Sequence, residues 1–411
     1  MKKIVLLSTI TASMIFAAGY KIPEQSTASM AKAAAHVANI TGADASYYNP
    51  AAMSTLEDRS QLEIGATIIH LPEVDYTGTS VLGLQSYSSK KENFLLPYLH
   101  YVSKKYNDFT FGFSITEPAG LSKRWDSAVA SSAAQEFTLR VIELNPTVSY
   151  SINDNLSIGG GIRIIYSDGV VKSSSSTFSA LTGGTIPSVA RDMSGDTIEY
   201  GYNLALHYRP SDDLKIGLTY RSRVGLNLEG EAKLFYGGAM IYNSTASVSL
   251  PLPATLAFGI AYDLDDKTNI EFVIDKTYWS AYDNLDFNYA SAQPIFDTPI
   301  TKNWKNSNAY RIGLTHKYSE DLTLMGGFAI DKSPAPDYTL GYELPDSDAM
   351  LFSFGFDYKI DDNMNFGFAY LYDKKDKRTI LNNPLTAPFS PNGEFSEGGA
   401  HLLNFSLGYK F

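Results

Sequence analysis

Cysteine is absent from the 411 residues, which removes thiolate catalysis, thiolate metal sites and disulfide staples. Positive charge is also scarce: 33 Lys and Arg stand against 44 Asp and Glu, a formal charge of -11. A phosphate-binding surface needs clustered excess cations, so no nucleic-acid partner is expected. Beyond Phe16 no uninterrupted apolar run reaches the roughly 18 residues of a helical membrane span. Histidine is limited to six residues, and neither a Gly-x-Ser-x-Gly elbow nor a His-Glu-x-x-His motif occurs. Neither an enzyme nor a cofactor is therefore expected.

Aromatic side chains are abundant, with 28 Tyr, 22 Phe and 3 Trp. Rings with an apolar body and a polar tip suit membrane interfaces, yet the mean hydropathy is only -0.14. A membrane span made of strands reconciles the two. The N-terminus fits export: Met1-Lys2-Lys3, an apolar stretch to Phe16 and then Ala17-Ala18-Gly19 are the three parts of a secretory signal. Cleavage is expected after Ala17 or one residue later.

From Leu62 onward the pattern has period two, as in Phe109, Phe111, Phe113 and Ile115 against Thr110, Gly112 and Ser114. Six joints look alike, each a Tyr near a strand end followed by a tight acidic or Asn-containing turn. They run from Tyr101 to Asp108, Tyr150 to Asn155, Tyr208 to Asp213, Tyr262 to Lys267, Tyr318 to Asp321 and Tyr358 to Asn363. Between them lie long segments, near 72–91, 118–135, 168–195, 230–246, 282–307, 332–347 and 373–399. Short turns on one side and long loops on the other are the asymmetry of outer-membrane barrels. Six hairpins plus a first strand near 59–71 and a last near 400–411 predict an all-β, 14-stranded antiparallel transmembrane barrel in the bacterial outer membrane. Closure leaves no unpaired edge in hydrocarbon, and a monomer is expected. The final strand ends in Phe411, resembling the signal read by the barrel assembly machinery.

The division expected is a signal over 1–17, a hatch over 18–58 and a barrel over 59–411. The middle part is rich in Ala and Ser, ends in Tyr47-Tyr48-Asn49-Pro50-Ala51, and is small and apolar enough to fill a lumen lined by Gly, Ser and Thr. Ala18-Gly19-Tyr20 through Asn49-Pro50-Ala51 resembles the start of the FadL/TodX family of outer-membrane transporters of hydrophobic compounds. A later block looks like that family's signature: Asp331, Ser333, Pro334 and Pro336, then Pro345, Asp346 and Asp348. One departure is Ala349, where the family pattern leads us to expect Arg, so any role of that Arg in holding loops or ligand must be met elsewhere.

A hydrophobic ligand with an acid head needs apolar walls and one or two cations. Lys123-Arg124-Trp125 and Lys302-Asn303-Trp304 offer cations beside aromatics, either for ligand or for lipopolysaccharide phosphates. Arg140 and Arg163 are expected to point together into the lumen, toward a head group or hatch carboxylates. The resemblance implies passive uptake of long-chain fatty acids or other hydrophobic small molecules by capture in the outer loops, passage beside the hatch N-terminus, and sideways release through a kink in the third strand. That strand is expected over Phe109 to Pro118, with Gly112, Pro118 and Gly120 able to bend it. By position alone, Glu24 and Gln25 are candidates to help gate the pocket. An aromatic-hydrocarbon transporter, a porin or an adhesin remains an alternative.

Overall fold

A computed structural model describes residues 19–382 and 387–411; the expected signal and its cleavage site lie outside the described residues. Fourteen strands form the wall. They are β1 (Gln61–Leu71), β2 (Glu92–Val102), β3 (Phe109–Arg124), β4 (Glu136–Asn153), β5 (Leu156–Ser174) and β6 (Val189–Tyr208). Next come β7 (Leu214–Arg221 continued by Val224–Tyr236) and β8 (Ala239–Leu252 continued by Thr255–Asp263). The wall is completed by β9 (Thr268–Thr277), β10 (Ser307–Lys317), β11 (Leu322–Asp331), β12 (Ala349–Lys359), β13 (Met364–Lys375) and β14 (Ala400–Lys410). Each pairs antiparallel with its neighbours, and β14 returns to β1 from Gln61↔Lys410 to His70↔His401. The cylinder is closed. Both ends of the wall meet on the short-turn side, where Ser60 and Phe411 exchange two backbone hydrogen bonds.

Alternation puts Ile158, Ile162, Tyr202, Leu204, Phe258 and Phe354 on the outside, exposed as a lipid-facing wall must be. Among the described residues no helix is long and apolar enough to cross a membrane; the strands cross it.

The expected loop at 230–246 is instead strand. β7 and β8 run on to a two-residue turn at Gly237-Gly238, both with positive φ, the conformation glycine tolerates best. Likewise β3 extends to Arg124, β5 to Ser174, and β6 begins at Val189. The reason is a change of solvent. In the lower part of β7, Ile216, Leu218 and Tyr220 face lipid while Lys215, Thr219 and Arg221 face the lumen. Beyond the break at Ser222-Arg223 the phase inverts: Leu226, Leu228 and Leu234 are buried inside, and Asn227, Glu229 and Glu231 face outward. β8 breaks opposite, at Pro253-Ala254, between the pairs Val224↔Leu252 and Arg221↔Thr255. Above that level the outer face meets water, so the alternation reads as polar loop.

Residues 19–56 lie inside the wall, and 57–60 lead out to β1 at the short-turn rim. Two short helices (Thr27–Ala31 and Ala45–Tyr48) and a 3-10 turn (Pro50–Thr55) carry the small residues, almost all buried. Asn49 fixes the Asn-Pro-Ala turn: its Oδ1 accepts from Ala51 N–H (3.1 Å), and its Nδ2 donates to Val37 O (2.8 Å) and to Leu206 O of the wall (3.2 Å). Inward-facing glycines let this backbone press on the sheet. A Cβ at Gly327 would lie 2.1 Å from the Lys32 carbonyl carbon.

Candidate functional site

The ladder between β2 and β3 is short. It runs only from Leu99↔Ile115 to Val102↔Gly112, although β3 stays paired to β4 on its other side up to Arg124. Between Thr116 and Ala119 that second ladder slips. Pro118 has no N–H to donate, and Glu117-Pro118 leaves the register. The strands rejoin where Lys90 N–H donates to Arg124 O (2.9 Å) and Glu92 accepts from Ser122 Oγ and from Arg124. The result is a window in the wall between residues 93–98 and 116–121.

The β3 edge freed by this separation is occupied from inside. Ile22 N–H donates to Pro118 O (2.9 Å), and Gly120 N–H donates to Tyr20 O (3.0 Å), so residues 20–22 form a surrogate strand. Gln25 completes it. Its Nε2 donates to Ile22 O and Glu117 O, and its Oε1 accepts from Glu117 N–H, all at 2.9 Å.

Beside this strip lies a cavity of 540 Å³ lined by Tyr20, Ile22 and Glu24 on the hatch and by Leu71, Leu96, Leu351, Leu371 and Leu402 on the wall. Outward-facing Leu95 and Arg140 also line it, so it reaches through the window to the outside. Burial pushes the Glu24 carboxyl up to about 7, opposed by the Arg311 charge.

The predicted cations divide sharply. Lys123 is buried and lines the cavity; it makes no salt bridge or side-chain hydrogen bond among the described residues, and the nearest opposite charge acting on it is Glu92, which is itself held by Ser122 and Arg124. Arg124 is held by Glu92 and Glu136. Arg163 is in the lumen, where its Nε and Nη2 donate to Glu143 (3.0 and 2.8 Å) and its Nη1 to Ser222 O (2.6 Å). Arg140 corrects the expectation of a shared face. It projects outward and pairs with Asp168 across the ladder, Nε to Oδ2 at 2.9 Å. In β4 the buried, inward positions are odd, as at Val141, Glu143 and Asn145, and residue 140 falls on the other parity.

Trp125 does not face the cavity. It is fully buried in the cap formed by the outer loops, its Nε1–H donating to Tyr342 O (2.8 Å) among Tyr87, Tyr342 and Phe395. Trp304 packs on Trp279 and Tyr282 (both 5.0 Å) and on Tyr20, while Lys302 pairs with Glu343. Gly112 is no bend. It stays in register and faces the hatch, where a Cβ would lie 2.4 Å from Met53 Sδ. Of the three candidates for bending, Pro118 sits at the break; Gly120 pairs with the strip.

The late signature is a loop clamp. Ser333 N–H donates to Asp348 Oδ1, and Ser333 Oγ to Asp346 Oδ2, both at 2.8 Å. Burial raises the Asp348 carboxyl to about 6. Pro334 O accepts from Lys305 N–H, Pro336 O accepts from Thr339 N–H, and Pro345 lines the large cavity. Asp331 accepts from Arg311 at 3.1 Å. With Ala at 349, positive charge comes from the end of β13 and the segment after it: Arg378 donates to Ser333 Oγ (2.8 Å) and Asp346 O (3.0 Å), and Lys375 pairs with Asp346 Oδ1 (2.8 Å). Nothing in the local pattern near 349 pointed to residues 375 and 378. Glu143, which joins Arg163 to Arg221, was also missed; its signal was a carboxylate at an inward position of a membrane strand.

A stoppered barrel with an apolar cavity beside its stopper and a gap in its wall defines an outer-membrane transporter of hydrophobic compounds. The model of the outer membrane protein transport protein family (OMPP1/FadL/TodX) matches residues 8–411, and the chain belongs to that family. It is 26% identical over 376 residues to the long-chain fatty acid transport protein of Escherichia coli O6:H1, covering 83% of each chain. Among solved structures it resembles a Pseudomonas aeruginosa FadL homologue (TM-score 0.83, 19% identity, 96% of this chain and 100% of that one). It also resembles the Pseudomonas putida toluene transporter TodX (TM-score 0.71, 20% identity, 94% and 98%). These likenesses place the protein in the bacterial outer membrane.

Proposed function

We propose that the protein takes up long-chain fatty acids passively, holding the acid head at Lys123 and releasing the molecule sideways between β2 and β3. The observation that carries this reading is Lys123, a buried residue in no salt bridge or side-chain hydrogen bond among the described residues, on the wall of a 540 Å³ cavity that continues through the window. Removing an acyl chain from water gains about 0.8 kcal/mol per CH₂, so exit into lipid needs no coupled energy source. The name of the Escherichia coli relative supports the same ligand class.

In this reading residues 1–17 direct export, and the segment 18–58 is the gate. Residues 20–25 separate the cavity from the lumen and move when ligand enters. Lipopolysaccharide surrounds the outer rim. The test is uptake by proteoliposomes containing the purified protein. Labelled oleate should enter, small sugars should stay out, and Lys123→Ala should slow oleate. Toluene uptake that is fast and indifferent to Lys123, with oleate excluded, would favour an aromatic-hydrocarbon channel instead, the ligand named for TodX.

A further inference from the structure

Four of the six histidines are engaged with the hatch or a turn: His36 bonds Asp44, His100 bonds Gln25 O, His207 bonds Ala38 O and His316 bonds Thr268. The remaining two face each other on the outer surface. His70 of β1 and His401 of β14 are directly paired across the ladder, both half-exposed, with ring centroids 6.1 Å apart. This pair is the last rung of the ladder that closes the cylinder, because β1 and β14 are its first and last strands.

Each ring is oriented by the strand on its far side. His70 Nδ1 is 2.8 Å from Asn93 Oδ1 on β2, and His401 Nδ1 is 2.8 Å from the Tyr370 hydroxyl on β13. His401 also stacks on Tyr372 at 4.9 Å. With Nδ1–H donated to Asn93, the Nε2 lone pair of His70 is available, and the Tyr370 contact allows the same tautomer for His401. Neither Nε2 makes a hydrogen bond among the described residues. A second ring nitrogen engaged by a fixed partner is the arrangement that supports metal-ligating imidazoles.

We propose that His70 and His401 form a two-imidazole site for a divalent first-row transition ion of the zinc, nickel or copper type, bridging the seam of the barrel. Imidazole is a ligand of choice for these ions. Two rings sharing one ion through bonds of about 2.0–2.1 Å have centroids on the order of 5–6.5 Å apart, a range that includes the observed separation. Water completes the coordination. The ion links the two strands whose pairing closes the sheet, so its binding resists opening of the wall at that seam.

The experiment titrates the detergent-purified full chain with zinc or nickel by calorimetry and follows thermal unfolding of the barrel with and without metal. One ion should bind per chain and raise the unfolding temperature. His70→Gln and His401→Gln, each on the outer surface and compatible with folding, should weaken binding at least tenfold and abolish the thermal gain, whereas His316→Gln should change neither. Copper should give a spin-resonance spectrum with two equivalent nitrogen ligands in the wild type and one in either variant. Absence of binding at millimolar metal overturns the proposal. So does binding unchanged in both variants, or binding that leaves the unfolding temperature of the wild type where it was.

Discussion

Gln25 and Glu117 exchange two hydrogen bonds, the Gln25 side-chain amide acting as donor to the Glu117 carbonyl and as acceptor for its N–H, each at 2.9 Å. One side chain thus replaces the neighbour strand at the residue where β3 leaves its ladder. A backbone group in hydrocarbon costs several kcal/mol if left unpaired. The kink is therefore compatible with a membrane wall only while something inside it takes up those groups. The hatch and the window are one structural unit.

Gln25→Ala removes this clasp. Three hydrogen bonds at a net of about 1 kcal/mol each correspond to a loosening of the strip by tenfold or more. Hydrogen exchange should rise by that factor at Ile22, Glu117 and Gly120, while the barrel still assembles. Exchange at wild-type rates in the variant would refute a clasp.

Lys123→Ala should weaken fatty-acid binding by about ten- to a hundredfold, the range of a charge-assisted hydrogen bond at about 1.5–3 kcal/mol. Lys123→Arg should restore part of it. The binding of an uncharged hydrocarbon of similar size should hardly move. Equal losses for acid and hydrocarbon would mean that Lys123 shapes the cavity without holding a head group.

The strand count, the side of the short turns and the filled lumen were legible because each rests on local pattern: period two, Asp and Asn in turns, and a run of small residues. The upper halves of β7 and β8 were not, since a strand whose outer face meets water carries Glu229 and Glu231 where a membrane strand carries Leu. Arg140 was misplaced for a related reason. It lies at the rim, where a charge on the outer face costs little, and only its parity relative to Glu143 tells the two faces apart. Lys123 was legible as a cation near aromatics but not as the one without a salt bridge. That distinction depends on Glu92 and Glu136, which take Arg124, and on the pairing that brings Arg378 and Lys375 to Asp346.

Gly112→Leu tests the hatch rather than the window. The new side chain meets Met53 and Ser46, and a core forced to accept extra methylenes loses about 1–3 kcal/mol. The hatch should be displaced in a fully assembled barrel, and ion conductance in planar bilayers should rise. A variant that folds with unchanged conductance would show that the wall yields instead of the hatch.

The docking of residues 20–25 should depend on pH through Glu24. Burial raises this carboxyl from 4.5 to about 7, with Arg311 on β10 pulling it down and Asp373 on β13 and Asp331 on β11 pushing it up. A carboxyl whose proton is held more tightly in the docked state stabilises that state fully below its free value, and the contribution is lost as pH rises through the docked value. The strip should therefore be firmest near pH 4.5 and loosen between about pH 5 and 8. Tyr20 packs edge-on against Trp279 at 4.6 Å, so the tryptophan fluorescence of the purified protein reports the change. A transition centred near pH 7 is expected, and it should vanish in Glu24→Gln, which keeps the shape without the charge. A transition that persists in that variant would assign the pH dependence to another group.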